Sequence, residues 1–404
     1  MIMTESAVGY PARPSSSTFW AAGALGLLAT AVGAILPVLV GVWQKQAGLR
    51  VDEAGFVAAT ELFAQVVGTG LFLWASPRWT LRAIAVAGLG VMVIGNCATA
   101  ASADFASLDL ARAVAGAGSG VIRALCMMCL AKAVSPGRAF AVYAGGQVGL
   151  AAVTTALLPH LIDAEGVRAP YLVLILASVL GFALCPLLPR YSPLPPSATR
   201  RGGLGSYPTA AIFAIVALFV FFGGQGALWT YLGPIGAYRS IPAAGVTQAL
   251  TLINFAGLAG ALGVGAMAHR VNPGIALLAL LSTEILSIAG LFHVHSSIGF
   301  IASAGVFYFS WCASFPFQFT IIAQSDRSGR ASAVVSAADG LGLAGGAALA
   351  SLILPTFGLG SAGWICAAAS IVGTTLYIWS ATLSKMPTSS AQRPGAVDAG
   401  ALEG

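Results

Sequence analysis

Twelve apolar stretches of about twenty residues recur along this chain, and that recurrence leaves it few folds to adopt. They fall at about 19–43, 54–75, 81–101, 105–131, 138–161, 169–189, 209–235, 243–268, 274–294, 298–323, 332–356 and 360–383. A helix needs about 20 apolar residues to cross the hydrocarbon of a bilayer. Only 8% of the residues are charged and 58% are hydrophobic, whereas a soluble domain carries about 25% charged residues. Too little polar surface remains to coat a globule in water. The composition therefore predicts an all-α integral membrane protein. The first stretch is longer than a signal-peptide core of roughly 7–15 residues, so it is expected to remain as a helix.

The polar segments divide the chain. Residues 1–18 read as a disordered tail with Pro11 and Pro14, and residues 384–404 as a second tail. Residues 190–208 are rich in proline, glycine, serine and arginine and read as a linker. It separates one six-helix bundle over 19–189 from another over 209–383. With the N-terminus in the cytoplasm, the inner side receives Arg13, Arg78, Arg82, Lys132, Arg138, Arg190, Arg200, Arg201, Arg270, Arg327, Arg330, Lys385 and Arg393. The outer side receives Lys45, Arg50, Arg168 and Arg239. Thirteen against four follows the excess of basic residues in cytoplasmic loops. Both termini and the linker are thus expected in the cytoplasm. Short loops and an Ala/Gly-rich chain point to a bacterial inner membrane. The net charge of +6 is spread between apolar segments, which argues against nucleic acid as a partner.

The halves repeat. Gly137-Arg138-Ala139-Phe140-Ala141-Val142 opens segment 5, and Gly329-Arg330-Ala331-Ser332-Ala333-Val334 opens segment 11 after 192 residues. Arg78 and Arg270 follow segments 2 and 8 at the same offset, and Ala54-Gly55 matches Ala244-Gly245 at 190. A nearly constant offset marks a duplicated six-helix unit. Two such units about a pseudo-twofold axis along the membrane normal suit alternating-access transport.

Charges inside the spans are costly, roughly 2.5–3.5 kcal/mol each on insertion scales, and mark function. Segment 4 carries Arg112 and Arg123, with Gly116 and Gly120 between them as a GxxxG pair that admits a close neighbour. Glu61 of segment 2 lies about 7 residues, roughly 10 Å, from the outer end, at the depth of Arg112. The two could pair, and Asp109 is a second possible partner. A carboxylate beside an arginine titrates when the pair breaks, as proton coupling requires; a static ion pair is the other reading. Arg123 sits deeper, near the level of Gln147. An anionic substrate could neutralise it through a carboxylate, or Asp339 of segment 11 could. Segments 7 and 10 offer Gln225, Trp229, Tyr231, Tyr308, Trp311, Phe315, Phe317 and Gln318 as cavity residues, with Pro234 and Pro316 as helix breaks. Glu284 stands among Ser282, Thr283 and Ser287.

Segment 4 shows Leu108, Arg112, Gly116 and Gly118, and with the 6 + 6 plan and basic linker the chain resembles the major facilitator superfamily from about 19 to 383. A leucine, an arginine four later and glycines four and six beyond it are that family's pattern; Ala115 replaces its usual polar residue. The loop motif after segment 2 keeps Arg78 and Arg82 but lacks the aspartate on which a gating latch would be built. Its second copy keeps Gly265 and Arg270 with His269 in the aspartate's place. Gly145-Gly146-Gln147-Val148-Gly149 lacks the proline of the family's antiporter signature, which leans towards uptake. The resemblance implies the major facilitator fold, and it places the helix of Glu284 at the periphery, giving that residue a structural role.

Other signals carry less. Gly116-Ala117-Gly118-Ser119-Gly120 has neither the strand nor the distal acid of a dinucleotide loop, and no Gly-Lys-Ser/Thr loop exists, so no nucleotide is expected. His293-Val294-His295 has no acidic or thiol neighbour, so no metal is assigned. Cys97, Cys126, Cys129, Cys185, Cys312 and Cys366 lie in apolar segments and are expected as free thiols. No cofactor and no enzymatic chemistry are implied. The sequence thus predicts a monomeric secondary transporter in a lipid bilayer, importing a small organic anion, aromatic or otherwise hydrophobic, with protons. Proton-coupled efflux of drugs, sugars or metabolites is the alternative. A non-transporting sensor or assembly factor on the same fold is the alternative of another class.

Overall fold

The computed structural model describes residues 16–131, 136–190, 207–264, 271–325 and 335–384. The body of the linker, most of both tails, and residues 265–270 and 326–334 lie outside them. With these go Arg13, Lys132, Arg200, Arg201, Arg270, Arg327, Arg330, Lys385 and Arg393, and the second copies of the loop and segment-11 motifs.

Twelve α-helices form among the described residues. The first six are α1 (Ser16–Ala47), α2 (Val51–Ala75), α3 (Leu81–Ala101), α4 (Phe105–Ala131), α5 (Pro136–Glu165) and α6 (Ala169–Gly181). The second six are α7 (Thr209–Tyr238), α8 (Ala243–Ala259), α9 (Pro273–His293), α10 (Ser297–Ser325), α11 (Val335–Phe357) and α12 (Gly360–Leu383). Ten spans are long and apolar enough to cross a membrane; in α5 and α8 the apolar stretches are shorter, Gly145–Leu158 and Gln248–Val264. Helices dominate because in lipid each backbone N–H and C=O must be satisfied within its own segment.

Their ends follow local chemistry. Thr80 Oγ1 accepts from the N–H of Ala83 at 3.2 Å and starts α3. Asn272 does the same for α9, with Pro273 at the first turn. Asp104 precedes α4, and the N–H of Ser107 holds its carboxyl below the usual carboxylate range. Segment 6 is expected to be one helix to 189, but α6 gives way at Phe182 to a 3-10 turn that ends at Leu187 and contains Pro186, which has no N–H to donate. Segment 8 loses α geometry in a π turn over Gly260–Val264.

The duplication is visible in the backbone. Among described residues, positive φ occurs at Gly48, Gly166, Ser240 and Gly358. Gly48 and Ser240 turn the chain after α1 and α7; Gly166 and Gly358 turn it after α5 and α11. Each pair is separated by 192 residues, the offset of the sequence repeat. Within the first half α2 and α3 both pack on α4; within the second, α7 packs on α11 and α12. Across the seam α2 lies along α11 and α5 along α8, two contacts that exchange under a twofold axis, while α1 lies along α7.

The chain enters and leaves residues 190–208 on one face of the bundle, termed the linker face. There Arg82 donates to the carbonyls of Pro186 and Leu188, and Thr18 to Leu187, tying the starts of α1 and α3 to the end of α6. On the far face the halves meet through small residues. A Cβ on Gly233 would overlap the carbonyl of Pro37, and the phenol of Tyr231 fills the space over Gly55. One apolar core runs through this contact from α1 and α2 into α7, whereas the linker-face part of the first half has a separate core around Leu25, Phe72, Leu89 and Ile122.

Candidate functional site

The glycines of α4 build the first site. A Cβ on Gly116 would overlap the carbonyl of Glu61, and one on Gly120 that of Gln65; Gly118 instead faces α3 at Gly88 and Met92. The backbone of α2 therefore approaches α4 closely at the level of Glu61. Arg112 is fully buried and Glu61 is 1% exposed. Arg112 Nε donates to Glu61 Oε2 at 3.0 Å, and Nη2 donates to Oε1, a two-bond fork. Nη1 donates to Asn96 Oδ1 at 2.9 Å and reaches Thr99 Oγ1 at 3.5 Å, both on α3. Gln46 of α1 donates to the carbonyls of Thr99 and Ser102, so α1 to α4 all hold this cluster. Asp109, the other partner considered for Arg112, is not joined to it. Its Oδ1 is buried with no hydrogen bond, and its carboxyl lies against Thr60.

The second site crosses the seam. Arg123 Nη2 stands 3.8 Å from Asp339 Oδ2, with the two side chains 27% and 15% exposed. That separation is an ion contact too long for a hydrogen bond. Among the described residues Arg123 has no other charged partner. Gln147, placed at a similar depth by the sequence, is partly buried on α5 and joins neither pair.

An aromatic ladder runs between α7 and α10. Trp229 stacks on Tyr308 at 5.0 Å, and Phe222 stacks on Phe315 at 5.6 Å. Trp311 meets Trp229, Tyr308, Phe222 and Phe315 edge-on. Trp229 Nε1 donates to the carbonyl of Gly33 on α1 at 3.1 Å, so the ladder is anchored to the other half. Trp311 Nε1 is buried with no hydrogen bond. The remaining candidates turn into protein. Gln225 bonds to Glu284 and Ser370, Gln318 bonds to Ser314 and accepts from Tyr377, and Tyr231 is fully buried over Gly55.

Sequence reasoning passed over Asn96, Thr99 and Phe222. Asn96 carried a usable signal, an amide in an otherwise apolar span on the helix after Glu61. Phe222 carried none, since one phenylalanine among many has no marked depth or direction.

The Major Facilitator Superfamily model matches residues 19–326 of the chain. No curated protein matches it. Among solved structures it is similar to a D-xylose-proton symporter with a TM-score of 0.73 and 14% identity, over 89% of this chain and 96% of that one. It is likewise similar to the inward-open xylose transporter XylE from E. coli, with a TM-score of 0.70, 14% identity, and 90% and 95% of the two chains covered. At that identity the likeness speaks for the fold alone, while the family model spans most of the chain. A helical membrane architecture, a duplicated six-helix unit and this match together establish that the chain belongs to the Major Facilitator Superfamily, and that it is a multi-pass membrane transporter rather than an enzyme.

Proposed function

We propose that this transporter carries a small organic anion together with protons, by alternating access across a bacterial inner membrane, with the linker face cytoplasmic. The observation that carries the substrate class is Arg123. It is a guanidinium within a membrane helix, 27% exposed, whose one carboxylate partner stands at 3.8 Å. Five N–H donors around so loose a contact leave room for a carboxylate to bind in a two-bond fork and displace Asp339. In the second half the ladder of Trp229, Trp311 and Phe315 supplies aromatic rings suited to a flat or hydrophobic body.

Proton coupling falls to the Glu61–Arg112 fork. A proton on Glu61 cancels one charge of a fully buried pair and leaves Arg112 uncompensated, a state the protein relieves by moving. Asp109 lies three residues from Arg112 on the same helix face, with a buried oxygen free to accept it. One of the similar solved structures is a D-xylose-proton symporter and the other a xylose transporter, which supports proton symport and raises a neutral sugar as the second reading. The unpartnered Trp311 Nε1 would serve a sugar hydroxyl.

Proteoliposomes with an imposed pH gradient, offered carboxylates and sugars, test both readings. Under the anion reading Arg123→Gln inserts normally and loses carboxylate binding, and Arg123→Lys binds weakly because an ammonium lacks the fork. If Asp339 is instead a fixed structural partner, each single neutralisation destabilises and Arg123→Gln with Asp339→Asn restores stability. That rescue would sink the anion role and leave the sugar reading.

A further inference from the structure

We propose that Glu284 is a second proton-binding site, occupied as a neutral carboxylic acid in the conformation described, and caged by Gln225, Ser370 and Cys366. This goes beyond the transport reading above, which assigns the proton to Glu61, and it stands or falls independently of it.

The argument begins with where Glu284 lies. It is the twelfth of the 21 residues of α9, so it sits near mid-membrane. Although α9 is one of the least buried spans, Glu284 itself is 2% exposed and points inward at α7 and α12. Its Oε1 receives three donors: Gln225 Nε2 at 2.7 Å, Ser370 Oγ at 2.8 Å and Cys366 Sγ at 3.6 Å. All three are neutral.

No cation compensates it among the described residues. From 207 to 384 these contain one arginine, Arg239, and no lysine. Arg239 is at the far end of α7, against His295 on the surface. The two cations of α4 are engaged, Arg112 with Glu61 and Arg123 with Asp339. On the helices packed against α9, the titratable side chains are Cys366 and Tyr377 of α12 and Tyr308 and Cys312 of α10, together with Tyr231 and, exposed at the far end, Tyr238 of α7. Cys366 touches Glu284; Tyr377 bonds to Gln318; Tyr308 and Cys312 face Gly257 of α8; Tyr231 lies over Gly55. His293, on α9 itself, is more than two turns away. None of these supplies a positive charge to Glu284.

An ionised carboxylate so placed is held by neutral dipoles alone, which do not repay the loss of its hydration. Protonation removes that deficit and a second one with it. Gln225 Oε1 is buried without any hydrogen bond, although the amide nitrogen of the same side chain is bonded to Glu284. A carboxylic O–H is a donor that this acceptor lacks. Acid and amide then close a reciprocal pair, each giving and taking one hydrogen bond. The proton comes from water and returns to water.

Infrared titration of the purified full chain in detergent reads the site without any transport assay. At neutral pH a protonated-carboxyl carbonyl band is expected. It should vanish in Glu284→Gln and persist in Glu61→Gln and Asp339→Asn. Glu284→Gln is nearly isosteric with the neutral acid, so its melting temperature should match the wild type at neutral pH. If that variant fails to fold, isotopic labelling of glutamate in the wild-type chain must shift the band, and Gln225→Leu must move it towards the position of a free acid. Absence of the band, or a band unmoved by labelled glutamate, overturns the proposal. So does a rise in melting temperature with sodium chloride over choline chloride that Glu284→Gln abolishes, because the occupant would then be a metal cation.

Discussion

Neutralising Glu61 tests the central ion pair with a magnitude the geometry sets. Arg112 engages two donors with Glu61 and one with Asn96, and it reaches Thr99 at 3.5 Å. Glu61→Gln keeps the side-chain volume, cancels the charge and turns an amide N–H towards a guanidinium. Removing one partner of a buried ion pair costs about 3–5 kcal/mol. The surviving bond to Asn96 retains part of the solvation of Arg112, roughly 1.5–3 kcal/mol for a hydrogen bond to a charged group. The expected loss is therefore at the low end, about 3 kcal/mol, or roughly a hundredfold in the folding equilibrium. Arg112→Gln alone strands the carboxylate and costs as much or more. The double variant strands neither, so the cycle should return a coupling energy of about 2 kcal/mol. Thermal melting of the four proteins in one detergent measures it. Glu61→Gln melting with the wild type, or strictly additive losses, would refute the claim that this fork holds α2 to α4. The same free energy bears on function, because a proton arriving at Glu61 weakens the fork as Glu61→Gln does.

Gly120→Val should destabilise by about 1–3 kcal/mol or more, since the added carbons meet the Gln65 backbone rather than a movable side chain. Gly145→Val, with nothing within 4 Å of its Cβ position, is the matched control and should melt with the wild type. Gly358→Ala should cost about 1–2 kcal/mol because φ there is 71°, while Ser240→Gly, at φ 60°, should be neutral to stabilising; melting temperatures in the opposite order would contradict both backbone assignments. Ser197→Cys should react with a membrane-impermeant maleimide only from the cytoplasmic side, and labelling of intact cells would reverse the proposed orientation.

What the chain reveals by itself follows from one-dimensional quantities. Apolar length sets the spans, and a constant offset of 192 marks the duplication. That offset reappears in the left-handed turns at Gly48 and Ser240 and at Gly166 and Gly358, the first pair hidden because a serine occupies one position. Cost alone singles out Glu61, Arg112, Arg123 and Asp339, since a charge within a span needs a reason. Depth is legible too, because a helix rises about 1.5 Å per residue. Azimuth is not. Helices apolar all round do not announce which side faces a neighbour, so pairing awaited the packing. Glu61 was the first candidate partner for Arg112 and Asp109 the second; Gly116 and Gly120 bring α2 against α4 and set the fork on Glu61. Glu284, on a helix expected at the periphery, points inward at two other helices. Gln225 and Gln318, expected in a cavity, spend their amides on Glu284, Ser370, Ser314 and Tyr377. The sequence therefore determined which residues sit in the membrane and how deep; only the tertiary structure decided which of them face one another, because rotation about a helix axis is fixed by packing.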